Sequence, residues 1–256
     1  MTPLTLVALL YLVALASCRP KIKDQVSLQW AICDSDPHAV LAKMGAQVRS
    51  PDKLDPITYY DTSPPVYTPQ GLMLRSKVRG GREISVVKVQ LATSESNTGL
   101  HAKVCRWDRY GNKTTFVCKR QAPMNPRHLW STKQRQLAED SQSDVAWDKL
   151  VSYGPYPNPK WKSLHVEGYD GVLDDVAVQS LHIMELEVKV HRAEEESAYQ
   201  AITGHLSARG VVLCDRQESK TMRLFRAMGV TEESQDADNV ADCHCNANSP
   251  PTGIRL

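Results

Sequence analysis

The residues best suited to chemistry lie in residues 181–190, LHIMELEVKV, where Glu185, Glu187 and Lys189 recur two apart between Leu186, Val188 and Val190. In a β-strand, side chains two apart share a face and stand about 7 Å from each other. Two carboxylates and an ammonium would then form one charged stripe, and carboxylates so placed can hold a hard divalent cation. On a half-exposed strand the same stripe is simply the wet face. Other segments repeat the pattern with cations. Met73, Arg75, Lys77 and Arg79 share one face of residues 71–79, and Lys88 and Gln90 share one face of residues 83–92. If these strands closed into a barrel with a polar interior, the lumen would offer carboxylates for a divalent cation and many cations for a polyanion. If they did not, Arg75, Lys77 and Lys88 would be ordinary exposed charges.

The elements that must position these residues follow from period and punctuation. Residues 25–33 (QVSLQWAIC) read as a first strand, and Asp36-Pro37 caps a short helix that stops at Gly45. Residues 57–62 are β-rich and end at Ser63-Pro64-Pro65, where Asp61 is placed to cap the turn. The strands 71–79 and 83–92 meet at Gly80-Gly81, a hairpin signal. Residues 101–110 and 114–120 follow around Gly111-Asn112. Residues 123–139 and 144–151 have loosely helical spacing, and 153–159 (YGPYPNP) reads as a loop between two halves of one domain. Strands are expected at 162–168, 172–179, 181–190 and 211–214, and helices at 194–208, with Ala198, Ile202 and Leu206 inward, and at 218–228. Asp174-Asp175 is either a third source of carboxylates or a pair of turn acids, and the turn is the preferred reading. The expected fold is α+β: an antiparallel barrel, or tunnel, of about eight strands with helices packed outside.

Length and composition bound the rest. The chain has 256 residues and a net charge of +2, so global charge gives no case for nucleic-acid binding. An apolar run over residues 4–16, followed by Ser17 and Cys18, has signal-peptide length and is short for a membrane span. Secretion is the expectation. The alternative is a lipobox, Leu15-Ala16-Ser17-Cys18, with Cys18 carrying a lipid anchor. Residues 1–18 would then be the signal, 19–230 the tunnel domain and 231–256 a cysteine-containing tail. Without Cys18, six cysteines remain: Cys33, Cys105, Cys118, Cys214, Cys243 and Cys245. An even number in an exported chain allows up to three bridges, and Cys105 and Cys118 could face each other across a hairpin. Cys243-His244-Cys245 lacks the second ligand pair of a zinc site. Asn112-Lys113-Thr114 is a glycosylation sequon. None of the eight histidines has a partner at catalytic spacing, and no Ser-His-Asp arrangement, Walker loop or dinucleotide fingerprint occurs.

Taken in order, the motifs resemble the CYTH, or triphosphate tunnel metalloenzyme, family. Tyr59-Tyr60-Asp61-Thr62, Gly71-x-x-Leu74-Arg75-x-Lys77, Val87-Lys88 and Arg106-Trp107-Asp108 are similar to its first half. Glu185-Leu186-Glu187-Val188-Lys189 and Ser219-Lys220 are similar to its second half, so the likeness spans about residues 25–225. It implies an eight-stranded tunnel binding triphosphate-type substrates with Mg²⁺ or Mn²⁺, a phosphorylated small molecule or polyphosphate being the partner. Arg75, Lys77, Lys88, Arg106, Lys189 and Lys220 would grip phosphates, and Glu185 and Glu187 would hold the metal. One departure is large. Where the family carries Glu-x-Glu-x-Lys on its first strand, this chain reads Gln25-Val26-Ser27-Leu28-Gln29.

Two functions remain open on these residues. One is an exported metal-dependent phosphohydrolase of triphosphate or polyphosphate, with its catalytic residues unassigned. The other is a catalytically reduced tunnel that binds a ligand or serves as a scaffold.

Overall fold

The computed structural model describes residues 21–91, 104–125, 127–141 and 144–229. The expected signal with Cys18, the loop after residue 91 and the tail with Cys243, His244 and Cys245 lie outside the described residues. Ten strands form one sheet: β1 (Lys21–Ile32), β2 (Ile57–Asp61), β3 (Leu72–Arg79), β4 (Arg82–Leu91), β5 (Val104–Tyr110), β6 (Lys113–Pro123), β7 (Val151–Tyr156), β8 (Lys160–Val166), β9 (Tyr169–Val178) and β10 (Leu181–His191). Their spatial order is β7-β2-β3-β4-β6-β5-β1-β10-β9-β8. The helices are α1 (Pro37–Lys43), α2 (Thr132–Glu139), α3 (Glu195–Ala208) and α4 (Lys220–Ala227). Among the described residues no helix is long and apolar enough to cross a membrane.

This architecture corrects the expected eight-stranded antiparallel barrel. The sheet has ten strands and is mixed, because β1 runs parallel to β5 while antiparallel to β10. Parallel pairing is open to β1 and β5 because a long crossover through α1, β2, β3 and β4 separates them. The second correction is at 153–159, expected as a loop. Most of it is β7, which pairs with β2 through Ile57↔Tyr156 and Asp61↔Val151. Proline is tolerated there because β7 is an edge strand and one side needs no ladder donor. Gly154 takes φ +110°, and a Cβ there would lie 2.9 Å from the Tyr156 backbone nitrogen, so only glycine fits.

Chain connectivity shows how strongly the sheet curls. A flat ten-stranded sheet would hold its edges about 43 Å apart at the usual ~4.8 Å spacing. The opposite edges here are β7 and β8, joined through residues 157–159 alone. Such a link reaches roughly 14 Å at most. Pro159 O accepts from Asp175 N (3.0 Å) and Pro157 O from Ala177 N (3.1 Å), fastening the link along β9. The sheet is thus a curled, open barrel.

Strand parity then divides the side chains into an outer apolar face and a polar lumen. Outside β1 and β10, Leu28, Trp30, Ile32, Leu186 and Val188 pack under Val40 and Leu41 of α1 and Tyr199, Ile202 and Leu206 of α3. Trp30 stacks on Tyr199 (5.1 Å) and its indole N–H donates to Thr203 (2.8 Å). The inward face expected of α3 is the one buried. Outside β3, β4 and β6, Leu72, Leu74, Val87, Val89 and Phe116 pack under Trp130 and α2's Leu137 and Ala138. A third cluster lies on the lumenal side, where Leu224 and Phe225 of α4 meet Ile57, Tyr59, Met73, Val176 and Ile183. α4 therefore plugs the curl from within.

Among the described residues there are two disulfides. Cys105–Cys118 joins cross-strand partners of β5 and β6, as the hairpin spacing suggests. Cys33–Cys214 ties the end of β1 to the segment leading to α4. Residues 211–214, expected as a strand, contribute only an isolated bridge from Leu213 to Ile32. Asn112 lies exposed on the β5–β6 turn.

Candidate anion-binding tunnel

The expected site residues come together. Arg75, Lys77, Lys88, Arg106, Lys189, Lys220, Glu185 and Glu187 all line one lumenal cavity of about 220 Å³. Their convergence follows from register. Gln29 faces Glu187 across β1 and β10, Glu185 faces Asp174 across β10 and β9, and Lys88 faces Lys119 across β4 and β6. Lys220 arrives differently, from the first turn of α4, with Ser219 as the helix cap.

Three carboxylates of the lumen are neutralised from within. Asp108, fully buried, accepts from Lys88 (2.8 Å) and from Arg106 Nε (2.9 Å). Burial alone would raise its pKa, but these two cations hold it below the usual carboxylate range. Glu187 accepts from Ser27 (2.7 Å) and Lys189 (2.8 Å), with Arg106 at 3.5 Å. Against the effect of burial, Arg106, Lys189 and Ser27 bring its carboxyl to about 2. Asp174 is held by Lys160 and Lys220 and bonded by Asn158 (2.6 Å), which depresses its pKa despite burial. Glu185 differs. It accepts from Tyr110 OH (2.8 Å), whose hydroxyl also meets the Gln29 amide, and burial pushes its carboxyl upward.

Among the described residues the cations outnumber the acids: eight line the cavity, against Asp174, Glu185 and Glu187 in its lining and the fully buried Asp108 that holds Lys88 and Arg106. Arg75, Lys77 and Lys119 have no carboxylate in contact among the described residues. The Arg75 Nε is buried with no hydrogen-bond partner. Burial, with the neighbouring Arg75, Lys160 and Lys119, lowers Lys77 to about 7. Burial, with Arg106, Arg75 and Lys88, lowers Lys119 to about 8. A buried cation lacking a counter-charge is costly, and an entering anion would relieve three of them together.

Several lumenal residues escaped the sequence reading. Lys119, Lys160, Asp174, Tyr110 and Gln29 line the cavity. Lys119 was legible in principle, since along β6 it shares a face with Val117 and Gln121, opposite the packed face of Phe116 and Cys118. Asp174, expected as a turn acid, instead sits within β9, and Asp175 beside it is fully buried on the other face and bonded to His182 (2.6 Å). Their turn-like identities hid their strand parity. Asp61 has the capping role read from sequence. It is fully buried and accepts from the backbone N–H groups of Thr62, Val66, Tyr67 and Thr68 at 2.8–3.0 Å.

Among the described residues, no group of three or more His, Cys, Asp or Glu side chains is arranged to hold a divalent cation. Ser27 and Gln29 on β1 add no carboxylate opposite Glu185 and Glu187, and Glu187 is engaged by Ser27, Lys189 and Arg106. The residues present do not make a resident metal cage.

No family model matches the chain, and no curated protein matches it by sequence. Solved structures do. One is HpAC1 from Hippeastrum, a protein named as an adenylyl cyclase in which triphosphatase activity is dominant: 15% identity, 79% of this chain and 95% of that chain covered, TM-score 0.51. Another is a Bacillus halodurans protein named as an adenylate cyclase, at 12% identity, with 80% and 98% covered and TM-score 0.51. At these identities the likeness is one of fold, and that fold is the CYTH-type β-tunnel.

Proposed function

We propose that this protein binds triphosphate- or polyphosphate-type anions inside the tunnel. The observation that carries the reading is the trio Arg75, Lys77 and Lys119, cations turned into one lumen with no carboxylate in contact among the described residues. Arginine and lysine pair strongly with phosphoryl oxygens, arginine in a bidentate manner. Lys88, Arg106, Lys189, Lys160 and Lys220 surround the trio and extend the positive field. An adjoining cavity of about 210 Å³, lined in part by Met73, Met222 and Gln217, shares Lys88 and Tyr110 with the first. It would take the remainder of a phosphorylated small molecule. The fold's occurrence in a protein named for triphosphatase activity is consistent with this ligand class. The two disulfides and the apolar leader support an exported protein, where oxidising conditions keep such bridges intact.

Calorimetric titration with tripolyphosphate tests the reading. Saturable binding is expected, with Arg75→Ala and Lys119→Ala each weakening it about tenfold or more, or roughly 1.4 kcal/mol. No binding, or variants that bind like wild type, would sink the proposal. Phosphate release with Mg²⁺ or Mn²⁺ should be followed in parallel. Turnover abolished by both Glu185→Gln and Glu187→Gln would replace binding with metal-dependent hydrolysis.

A further inference from the structure

We propose that the tunnel seats its anion without a divalent metal, Arg106 and Lys189 standing where a metal's charge would be needed beside Glu187. The inference rests on the anion-binding reading above and narrows it to the metal-free ligand. Three observations carry it. First, β1 beside the two glutamates brings no carboxylate: Gln29 faces Glu187 and Ala31 faces Glu185 in register, and Ser27 spends its hydroxyl on Glu187 at 2.7 Å, while Asp174 across from Glu185 is already held by Lys160 and Lys220. Second, the same Glu187 oxygen that accepts from Ser27 also meets Lys189 at 2.8 Å and Arg106 at 3.5 Å. A divalent ion taken by that oxygen would have to displace two cations covalently fixed to the walls. Third, Arg106 is itself anchored, its Nε lying 2.9 Å from buried Asp108, which leaves it little freedom to withdraw.

A hard cation holds carboxylates and phosphates together by bridging their oxygens. In this lumen the bridge is already built from side chains. Glu187 and Asp174 are compensated before any ligand enters, and the phosphates meet cations directly. An added metal ion would chelate the free polyphosphate and meet an excess of like charge in the lumen.

The experiment is calorimetric titration of the full chain with tripolyphosphate, once with EDTA and once with excess Mg²⁺ or Mn²⁺. The expected result is binding in EDTA, with metal tightening it less than threefold or weakening it. Tightening by metal of more than threefold overturns this inference while leaving anion binding intact. Absence of binding in both conditions removes the anion-binding reading and this one with it. The variant Gln29→Glu adds a fourth carboxylate to Asp174, Glu185 and Glu187 of the cavity, next to Glu187. Its binding in EDTA is expected to fall at least tenfold and to recover with Mn²⁺, with melting measured alongside to confirm folding. A folded Gln29→Glu protein that stays indifferent to EDTA and Mn²⁺ would overturn the argument from wall charge.

Discussion

Lys77, more than its neighbour Lys119, changes charge near neutral pH. Burial is the main cause, aided by Arg75, Lys160 and Lys119, and together they bring it to about 7 from the usual value near 10.5. The folded pKa lies below the unfolded one, so the penalty of burying this charge is complete below pH 7. It is relieved, and stability rises, as pH climbs from about 7 toward 10. Anion binding has the opposite slope, because phosphate needs the ammonium form. The ligand's own titration is common to every variant, so the informative quantity is the Kd of wild type divided by that of Lys77→Arg. Arginine stays charged throughout. That ratio is expected to grow about tenfold between pH 7 and 9, and a constant ratio would show that Lys77 does not meet the ligand. Legibility at this scale followed parity. Arg75, Lys77, Glu185 and Glu187 declared their common face through two-residue spacing. Asp174 did not, because an Asp-Asp pair carries the same identities in a turn as in a buried strand. Only the register with Glu185 reveals its place.

Among the elements, α4 has two duties: its first residue, Lys220, enters the cavity and contacts Asp174, and Leu224 and Phe225 fill the lumenal end. Arg223 between them donates to the carbonyls of Met184 (2.7 Å) and Ile32 (2.8 Å), locking the helix to β10 and β1. Phe225 is fully buried against Tyr153 (4.8 Å) and Tyr59 (6.3 Å). Phe225→Ala is therefore expected to cost about 3–5 kcal/mol in urea unfolding. Because the cavity lies beside this plug, tripolyphosphate binding should weaken as well. A loss under 1 kcal/mol would mean that α4 is not a structural plug. The helix was legible from its spacing and the stop at Gly229, whereas its place inside the curl was not, since a helix pattern shows which face is apolar but not what covers it. The edge strand β7 was hidden for a different reason. Its Gly154-Pro155 carries loop chemistry, and only its edge position makes that compatible with a sheet.

For the whole molecule, the open question is what keeps an unclosed barrel curled around mutually repelling cations. Covalent closure is uneven. Cys105–Cys118 spans 13 residues inside a hairpin already paired along its length, whereas Cys33–Cys214 spans 181 residues and joins the first strand to the segment that introduces α4. Chain entropy assigns roughly 5 kcal/mol to the long loop and roughly 3 kcal/mol to the short one, before any strain or residual structure reduces both. The difference for function should be greater than that for stability. Opening the long loop frees the approach to Lys220, while opening the short one leaves β5 and β6 held by their ladder. The double variant Cys33→Ala/Cys214→Ala is thus expected to lose about 2–5 kcal/mol in urea unfolding and to bind tripolyphosphate several-fold more weakly. Cys105→Ala/Cys118→Ala should lose less stability and keep wild-type affinity. If the hairpin pair proves the more damaging to binding, the tunnel is organised by β5 and β6 rather than by the tether between β1 and α4.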